Sequence, residues 1–448
     1  MLETLPLSIP EPQEEKGESS IERFQIRGLH GYKNFDISIK DNRLILVGEN
    51  GSGKTTILRL LYCMLSGQWS MMAQYTFLDT TLTISGIDYT IPYEWIANKK
   101  KGFRSKDTDY IDYLMKYYEL VRSNKLNDKI DKEHESKDQI DKDLESVFNK
   151  IKNALNVQTL YLPTYRRIEQ ERSLILKGSD ENDIQKSGKK KAEKEVTGAS
   201  VELVEFGMED VDDAINANLV ELKEFARESL TDLTLDYLRD VVDRKYSEIN
   251  IEAIIDTPSD TIKDVLKRIP ENILAESQRK HLSEVISNVR DNTDSNINNE
   301  HDKVICHYFL KLLNFQKKLK EKEQLMTNFC EVCNGYLHDK KFNYDGNNFT
   351  FSINIDSDEK KKIELKHLSS GEKQIVSLFS HLYLSGGHKH LVLIDEPELS
   401  LSVPWQQKFL IDIIQSGFCF GVVAATHSPF IYDNDLDHYA HGLGEFEL

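Results

Sequence analysis

The stretch "LVGENGSGKTTILRLLY", residues 46–62, decides the fold. It opens at the end of Leu44-Ile45-Leu46-Val47, a continuous apolar run of the kind that forms a strand buried on both faces. It closes on Thr56-Ile57-Leu58-Arg59-Leu60-Leu61-Tyr62, which reads as a helix. Between them, Gly48-Glu49-Asn50-Gly51-Ser52-Gly53-Lys54-Thr55 fits the phosphate-loop pattern G-x-x-x-x-G-K-[ST] at every fixed position. The glycines let the backbone curl so that its N–H groups and the helix N-terminus face an anion. Gly48, Asn50, Gly51, Ser52, Gly53, Lys54, Thr55 and Thr56 are therefore the candidate phosphate-binding residues. Lys54 is expected to reach the β- and γ-phosphates of ATP and Thr55 to hold Mg²⁺. A glycine-rich turn without a ligand is the alternative, and the strand–loop–helix context weighs against it.

Three further segments near the other end of the chain have the texture needed to complete such a site. "HLVLIDEPELSLS" (390–402) is a buried-strand pattern running into Asp395-Glu396, which puts two carboxylates at the carboxyl end of a strand, where α/β folds bind ligands. One carboxylate can serve the metal and the next can activate the attacking water. "CFGVVAATHSPFI" (419–431) is a second such strand and ends on His427, within reach of the same γ-phosphate. "LSSGEKQIVSLFSHLYL" (368–384) starts a helix with Ser and Gly, a second anion-binding N-terminus. The first phosphate site is already furnished, so Ser369 and Gly371 make sense if they close over the nucleotide of a neighbouring copy.

The 448 residues suffice for one large interrupted domain or for two to three ordinary ones. Residues 1–20, rich in Pro, Glu and Ser, read as a flexible tail. Residues 21–98 read as the first part of an α/β head, with alternating apolar positions at Phe24 and Ile26, then at Phe35, Ile37 and Ile39, and a hairpin around Gly86. Residues 99–328 read as a helical insertion, with 124–153 and 200–250 helical, 178–197 a loop, and 157–170 returning to the head. No heptad is sustained long enough to promise a long two-stranded coiled coil. Residues 329–448 read as the second part of the head, opening on a hairpin around Asp345-Gly346. A formal charge of −18 argues against a broad nucleic-acid-coating surface. No apolar run approaches the ~20 residues that cross a bilayer, and five irregularly spaced cysteines with no leader pattern fit a reducing cytoplasm.

Taken together, these motifs resemble the ABC-type ATPases of the SMC/RecF/OLD group. Walker A is Gly48 to Thr55, the signature is Ser369-Ser370-Gly371-Glu372, Walker B is Leu391 to Glu396, and the switch histidine is His427. One departure is Ser370, which stands where the group's signature has its first Gly. The resemblance implies an α/β, ABC-type P-loop NTPase head interrupted by a helical, coiled-coil-like insertion, with ATP and Mg²⁺ as ligands. It implies that Glu396 and His427 are catalytic, that Thr55 and Asp395 serve the metal, and that Ser369 of one subunit caps ATP held by Lys54 of another. More than half the chain separates Lys54 from Ser369, which matches this group better than transporter ATPases.

Within the group, "YLPTYRRIE" (161–169), "FGMEDV" (206–211), "DEPELSLSVPWQ" (395–406) and "THSPFIYDN" (426–434) resemble the antiphage-defence ATPases of the Septu (PtuA) and PARIS (AriA) kind. This finer likeness is strong at the two ends of the chain and rests on short motifs in the middle. It implies a slow ATPase that forms dimers or larger oligomers, controls a separate effector nuclease of HNH or Toprim type, answers a phage-derived trigger protein, and reaches nucleic acid through its partner. The short stretch after His427 leads to the expectation that any nuclease is a separate partner rather than part of this chain. Rival readings are an SMC/RecF-like repair ATPase that clamps duplex DNA and a nucleotide-gated scaffold with negligible hydrolysis.

Weaker signals remain open. Gln68, Gln74 and Gln170 are candidates for the Q-loop, and Tyr32 or Phe35 for stacking on adenine. Cys330 and Cys333 lie too close to the signature for a zinc hook at the insertion's apex, and their i, i+3 spacing fits helix packing. Lys99 to Lys101 with Phe103 and Arg104, and Lys189 to Lys191, read as solvated tracts rather than phosphate contacts. Arg166 and Arg167 could serve the nucleotide or a partner.

Overall fold

The computed structural model describes residues 19–99, 137–164, 200–202, 208–248, 252–269, 274–291, 299–356 and 358–448. These form two compact units, Met1–Val204 with His388–Leu448, and Glu205–Gly387.

The first unit holds two sheets. One is antiparallel, in the order β2-β1-β4-β5, built from β1 (Ile21–Leu29), β2 (Lys33–Ser38), β4 (Asp79–Ile84) and β5 (Ile87–Pro92). The β4–β5 turn takes Ser85 at φ 48° and Gly86 at φ 75°, the two consecutive positive φ values that a two-residue hairpin needs to match strand twist. The other sheet is parallel, in the order β13-β3-β12-β11-β6-β7. It comprises β3 (Arg43–Val47), β6 (Gln158–Leu162), β7 (Ser200–Glu202), β11 (His390–Asp395), β12 (Cys419–Thr426) and β13 (Ala440–Gly442). Strand β11 is buried at all six positions, as a parallel strand covered on both faces must be. The register decides the site: Val47 lies beside Thr426, Ala425 beside Asp395, and Ile394 beside Leu162. The carboxyl ends of β3, β12, β11 and β6 thus line one edge of the sheet.

Helix α1 (Lys54–Ser66) follows β3 and shares one core with both sheets. Leu58, Leu60 and Leu61 are 0–2% exposed, so the helix is apolar nearly all round, as expected of one packed on several sides. Burying each such side chain is worth about 1.5–3 kcal/mol, and truncation to Ala costs about 2–5 kcal/mol. The helix stops at Gly67, whose left-handed backbone lets its N–H bond the Cys63 carbonyl. Helix α2 (Lys137–Leu155) leads into β6.

The second unit is built on two long helices, α3 (Glu209–Val242) and α6 (Glu300–Asn334), which pack together. Helices α4 (Ser259–Lys267) and α5 (Glu276–Asp291) join their core around Phe309 and Leu312. A small antiparallel sheet, β10-β9-β8, contains β8 (Lys340–Asp345), β9 (Thr350–Ile355) and β10 (Asp358–Ile363), and α7 (Ser370–Leu384) follows it. Helix α8 (Val403–Ile414) belongs to the first unit.

Two expectations from the sequence change. Residues 200–202 are strand rather than helix, because pairing with Thr159 to Tyr161 at the sheet edge overrides their local preference. Strand β6 lies in the parallel sheet of the first unit, as the reading of 157–170 expects, and α6 runs unbroken through residue 328. A 3-4 stripe does exist on α6, with Phe309, Leu312, Gln316, Leu319, Glu323, Met326, Cys330 and Cys333 all buried. Its apolar signature is interrupted by Gln316 and by Glu323, whose carboxylate accepts from Arg268 at 2.8 Å and from the Tyr344 hydroxyl at 2.9 Å. Residues 1–18, 100–136 and 165–199 lie outside the described residues, and with them Phe103, Arg104, Arg166, Arg167, Gln170, the 178–197 loop and Lys189 to Lys191.

Candidate nucleotide-binding site

The loop after β3 has the backbone that its glycines permit. Gly51 stands at φ 82° and Gly53, which caps α1, at φ 110°, values that strain any residue with a Cβ. The turn aims the N-terminal N–H groups of α1 out of the sheet edge, where no side chain caps them. Lys54 is only 6% exposed, and its ammonium folds back to donate to the carbonyls of Gly48 at 2.6 Å and Glu49 at 3.0 Å. The Ser52 hydroxyl is buried and has no hydrogen-bond partner among the described residues. An orphaned donor beside free helix-end N–H groups and a poised lysine suits a phosphate, since each of these groups is satisfied by an anionic oxygen.

Across the sheet edge, Thr55 donates its hydroxyl to Oδ1 of Asp395 at 3.0 Å. Thr164, just past β6, donates to the other oxygen, Oδ2. Asp395 is 3% exposed, so both carboxylate oxygens face hydroxyls in a buried setting. A hydroxyl and a carboxylate from opposite sides of one edge form a hard-oxygen donor set of the kind Mg²⁺ prefers.

Glu396, the next residue, sits at φ 52°, left-handed backbone that costs a glutamate about 1–3 kcal/mol. Its N–H is tied to the Ala425 carbonyl at 2.8 Å, which holds the turn. Burial raises its pKa, and the neighbouring carboxylates of Asp395 and Glu398 push it in the same direction, against the opposing charges of His427 and Lys54. A carboxylate of raised pKa beside a phosphate loop is a competent proton acceptor.

Glu398 was not singled out from the sequence. It is 8% exposed and accepts from the Thr426 hydroxyl at 2.7 Å, the His427 N–H at 3.0 Å and His427 Nδ1 at 2.9 Å. The last contact leaves Nε2 of His427 as the outward-facing ring nitrogen. Gln406 closes the arrangement by accepting from the Ser428 hydroxyl at 2.7 Å and donating to the Leu401 carbonyl at 2.9 Å. Thr164 was missed too. Its signal was the one that marks β3 and β11, a short apolar run ending on polar residues at the carboxyl end of a strand.

The motif residues of the first unit thus meet: Gly48 to Thr56, Asp395, Glu396 and His427 share one sheet edge. Ser369 and Gly371 belong to the second unit, where Ser369 caps α7. The Ser369 side chain accepts from the Glu372 N–H, and Glu372 accepts from the Ser369 N–H at 2.7 Å, a closed capping box. Lys340 grips both Glu372 oxygens at 2.9 and 2.8 Å, while Ser369 and Ser370 stay exposed. Phe35 is 1% exposed in the core and cannot stack on a base, whereas Tyr32 is 74% exposed. Gln68 donates to the Tyr62 hydroxyl at 2.9 Å and Gln74 faces solvent. Lys99 pairs with Asp141 at 2.8 Å. Cys330 and Cys333 are packing residues of α6, and burial pushes the Cys330 thiol up to about 12.

The sequence matches the model of the AAA ATPase domain family, AAA_15, over residues 20–432. The chain belongs to that family. No curated protein matches it. Among solved structures, it is similar to the crystal structure of the Smc head domain with an extended coiled coil bound to the C-terminal domain of ScpA, derived from Pyrococcus furiosus. The identity is 12% and the TM-score 0.39, covering 93% of this chain and 92% of that one. The AAA ATPase domain family implies nucleotide binding, and the phosphate-loop pattern of this chain lies on the first unit. None of its described helices is long and apolar enough to cross a membrane.

Proposed function

We propose that this chain is a Mg²⁺-dependent ATPase that works as a head-to-tail dimer. The observation that carries the reading is the Thr55–Asp395 hydrogen bond, which joins the phosphate loop to an acidic pair whose second member has a raised pKa. Loop N–H groups hold the phosphates, and Lys54 exchanges its two loop carbonyls for β- and γ-phosphate oxygens. Thr55 and Asp395 hold Mg²⁺, which when bound neutralises charge on those oxygens. Glu396 accepts a proton from the attacking water, and His427, oriented by Glu398, presents Nε2 to the γ-phosphate. Ser369 of a second copy, exposed at the N-terminus of α7, caps the nucleotide, with Gly371 buried behind it in the first turn.

The finer reading is a sensor or scaffold subunit of an antiphage defence system that controls a separate HNH or Toprim-type nuclease in the cytoplasm. It is supported by the short motifs at 161–169, 206–211, 395–406 and 426–434. The first experiment measures hydrolysis and mass in solution. Glu396→Gln is expected to lose at least ~100-fold in turnover while still binding ATP and accumulating as a dimer, and Ser369→Arg is expected to stay monomeric. A Glu396→Gln chain with wild-type turnover overturns the site assignment. Co-purification with the products of neighbouring genes and phage challenge test the defence role, and hydrolysis stimulated by duplex DNA alone would favour the repair ATPase.

A further inference from the structure

Asp395 has two carboxylate oxygens, and the proposed site uses only one of them to reach the phosphate loop. The other is occupied by a residue from a different strand. Thr164 is 9% exposed and stands two residues beyond the end of β6, which lies beside β11 in register. Its hydroxyl donates to Asp395 Oδ2, while that of Thr55 donates to Oδ1 at 3.0 Å. The carboxylate is thus hydrogen-bonded on both oxygens, by Thr55 of α1 and by Thr164 of the segment after β6. Pro163 precedes the threonine and fixes its own φ, which narrows the choices open to the chain at that point.

We infer that Thr164 is a positioning residue of the magnesium site: it fixes the plane of the Asp395 carboxylate so that Oδ1, with the Thr55 hydroxyl, faces the cation. The inference rests on the proposed metal role of Asp395 and adds the residue that orients it. Outer partners of metal-binding carboxylates typically contribute 10–100-fold in affinity. A buried carboxylate with one oxygen released would turn toward the nearest remaining donor and present a poorer ligand.

The test is a Mg²⁺ titration of ATP binding to the full chain, followed by calorimetry, with EDTA-treated protein as the metal-free reference. Thr164→Val, which keeps the shape and deletes the hydroxyl, is expected to raise the Mg²⁺ concentration at half-effect by about 10–100-fold with little change in metal-free ATP binding. Thr164→Ser is expected to restore the wild-type midpoint. Asp395→Asn is the reference arm. If Asp395→Asn moves the Mg²⁺ midpoint and Thr164→Val does not, the positioning role is overturned while the metal site stands. If neither moves it, the metal role of Asp395 fails as well. If Thr164→Val weakens ATP equally with and without Mg²⁺, the residue supports the fold rather than the ion, and the inference is again overturned.

Discussion

Removing the side chain of Glu398 should disable the site without touching the phosphate loop. Its carboxylate accepts three hydrogen bonds, two of them from His427 and one from Thr426, which is fully buried. Glu398→Ala leaves the Thr426 hydroxyl with no acceptor and the imidazole with no anchor at Nδ1. A buried donor left unmade costs about 1–3 kcal/mol, and the His427 contacts, being partly exposed, add less because water can replace them. The expected loss is about 2–4 kcal/mol in urea denaturation, together with at least a ~10-fold fall in kcat as the histidine loses its orientation. Glu398→Gln should cost less, about 1–2 kcal/mol, because it keeps the His427 contacts although the Thr426 hydroxyl still loses its acceptor. Its amide oxygen keeps the His427 N–H, and its NH₂ can donate to the Thr426 oxygen. Urea melts and steady-state hydrolysis on the two variants check this. Glu398→Ala that unfolds within 0.5 kcal/mol of wild type and turns over at the same rate would refute the assignment of Glu398 as the anchor of His427.

Four other outcomes are expected. Glu396 has its pKa raised by burial and by the carboxylates of Asp395 and Glu398, so its charged form is disfavoured in the fold. Glu396→Gln should therefore raise the melting temperature of the nucleotide-free protein at pH 7 while abolishing hydrolysis. In the wild type, turnover should fall as pH drops through a midpoint above the ordinary glutamate range, and a pH–rate profile reads both limbs. In the second unit, burial pushes Glu372 up, but Lys340 and the hydrogen bonds of Ser369 more than offset this and hold it below its usual value. Lys340→Met should destabilise by about 1–3 kcal/mol at neutral pH, and the difference should vanish as pH falls through the depressed pKa of Glu372, as acid-dependent melts would reveal. Finally, burial holds the thiols of Cys306, Cys330 and Cys419 at about 11, 12 and 12, so a thiol-specific alkylating reagent at pH 8 should label none of them until urea unfolds the chain.

Residues 48–55 and 391–396 disclosed the phosphate loop, its strand and the acidic pair without help, because each is a local pattern: glycines where the backbone must curl, and unbroken apolar runs where a strand is covered on both faces. The hairpins at Gly86 and at Asp345-Gly346 were legible for the same reason, their turn chemistry being contained in neighbouring residues. What no local reading could supply was adjacency. Thr164 reaches Asp395 only because β6 pairs with β11 from far away in the sequence, and residues 200–202 are a strand only because β6 offers them an edge. Glu398 looked like one more acid in an acidic chain until the fold closed β12 over it and gave it His427 to hold. The stripe on α6 stayed hidden because a buried Glu323 is affordable only once Arg268 and Tyr344 arrive from elsewhere to satisfy it. Short-range chemistry is written in consecutive residues, whereas partners for buried polar groups are chosen by packing, and packing is a property of the whole fold.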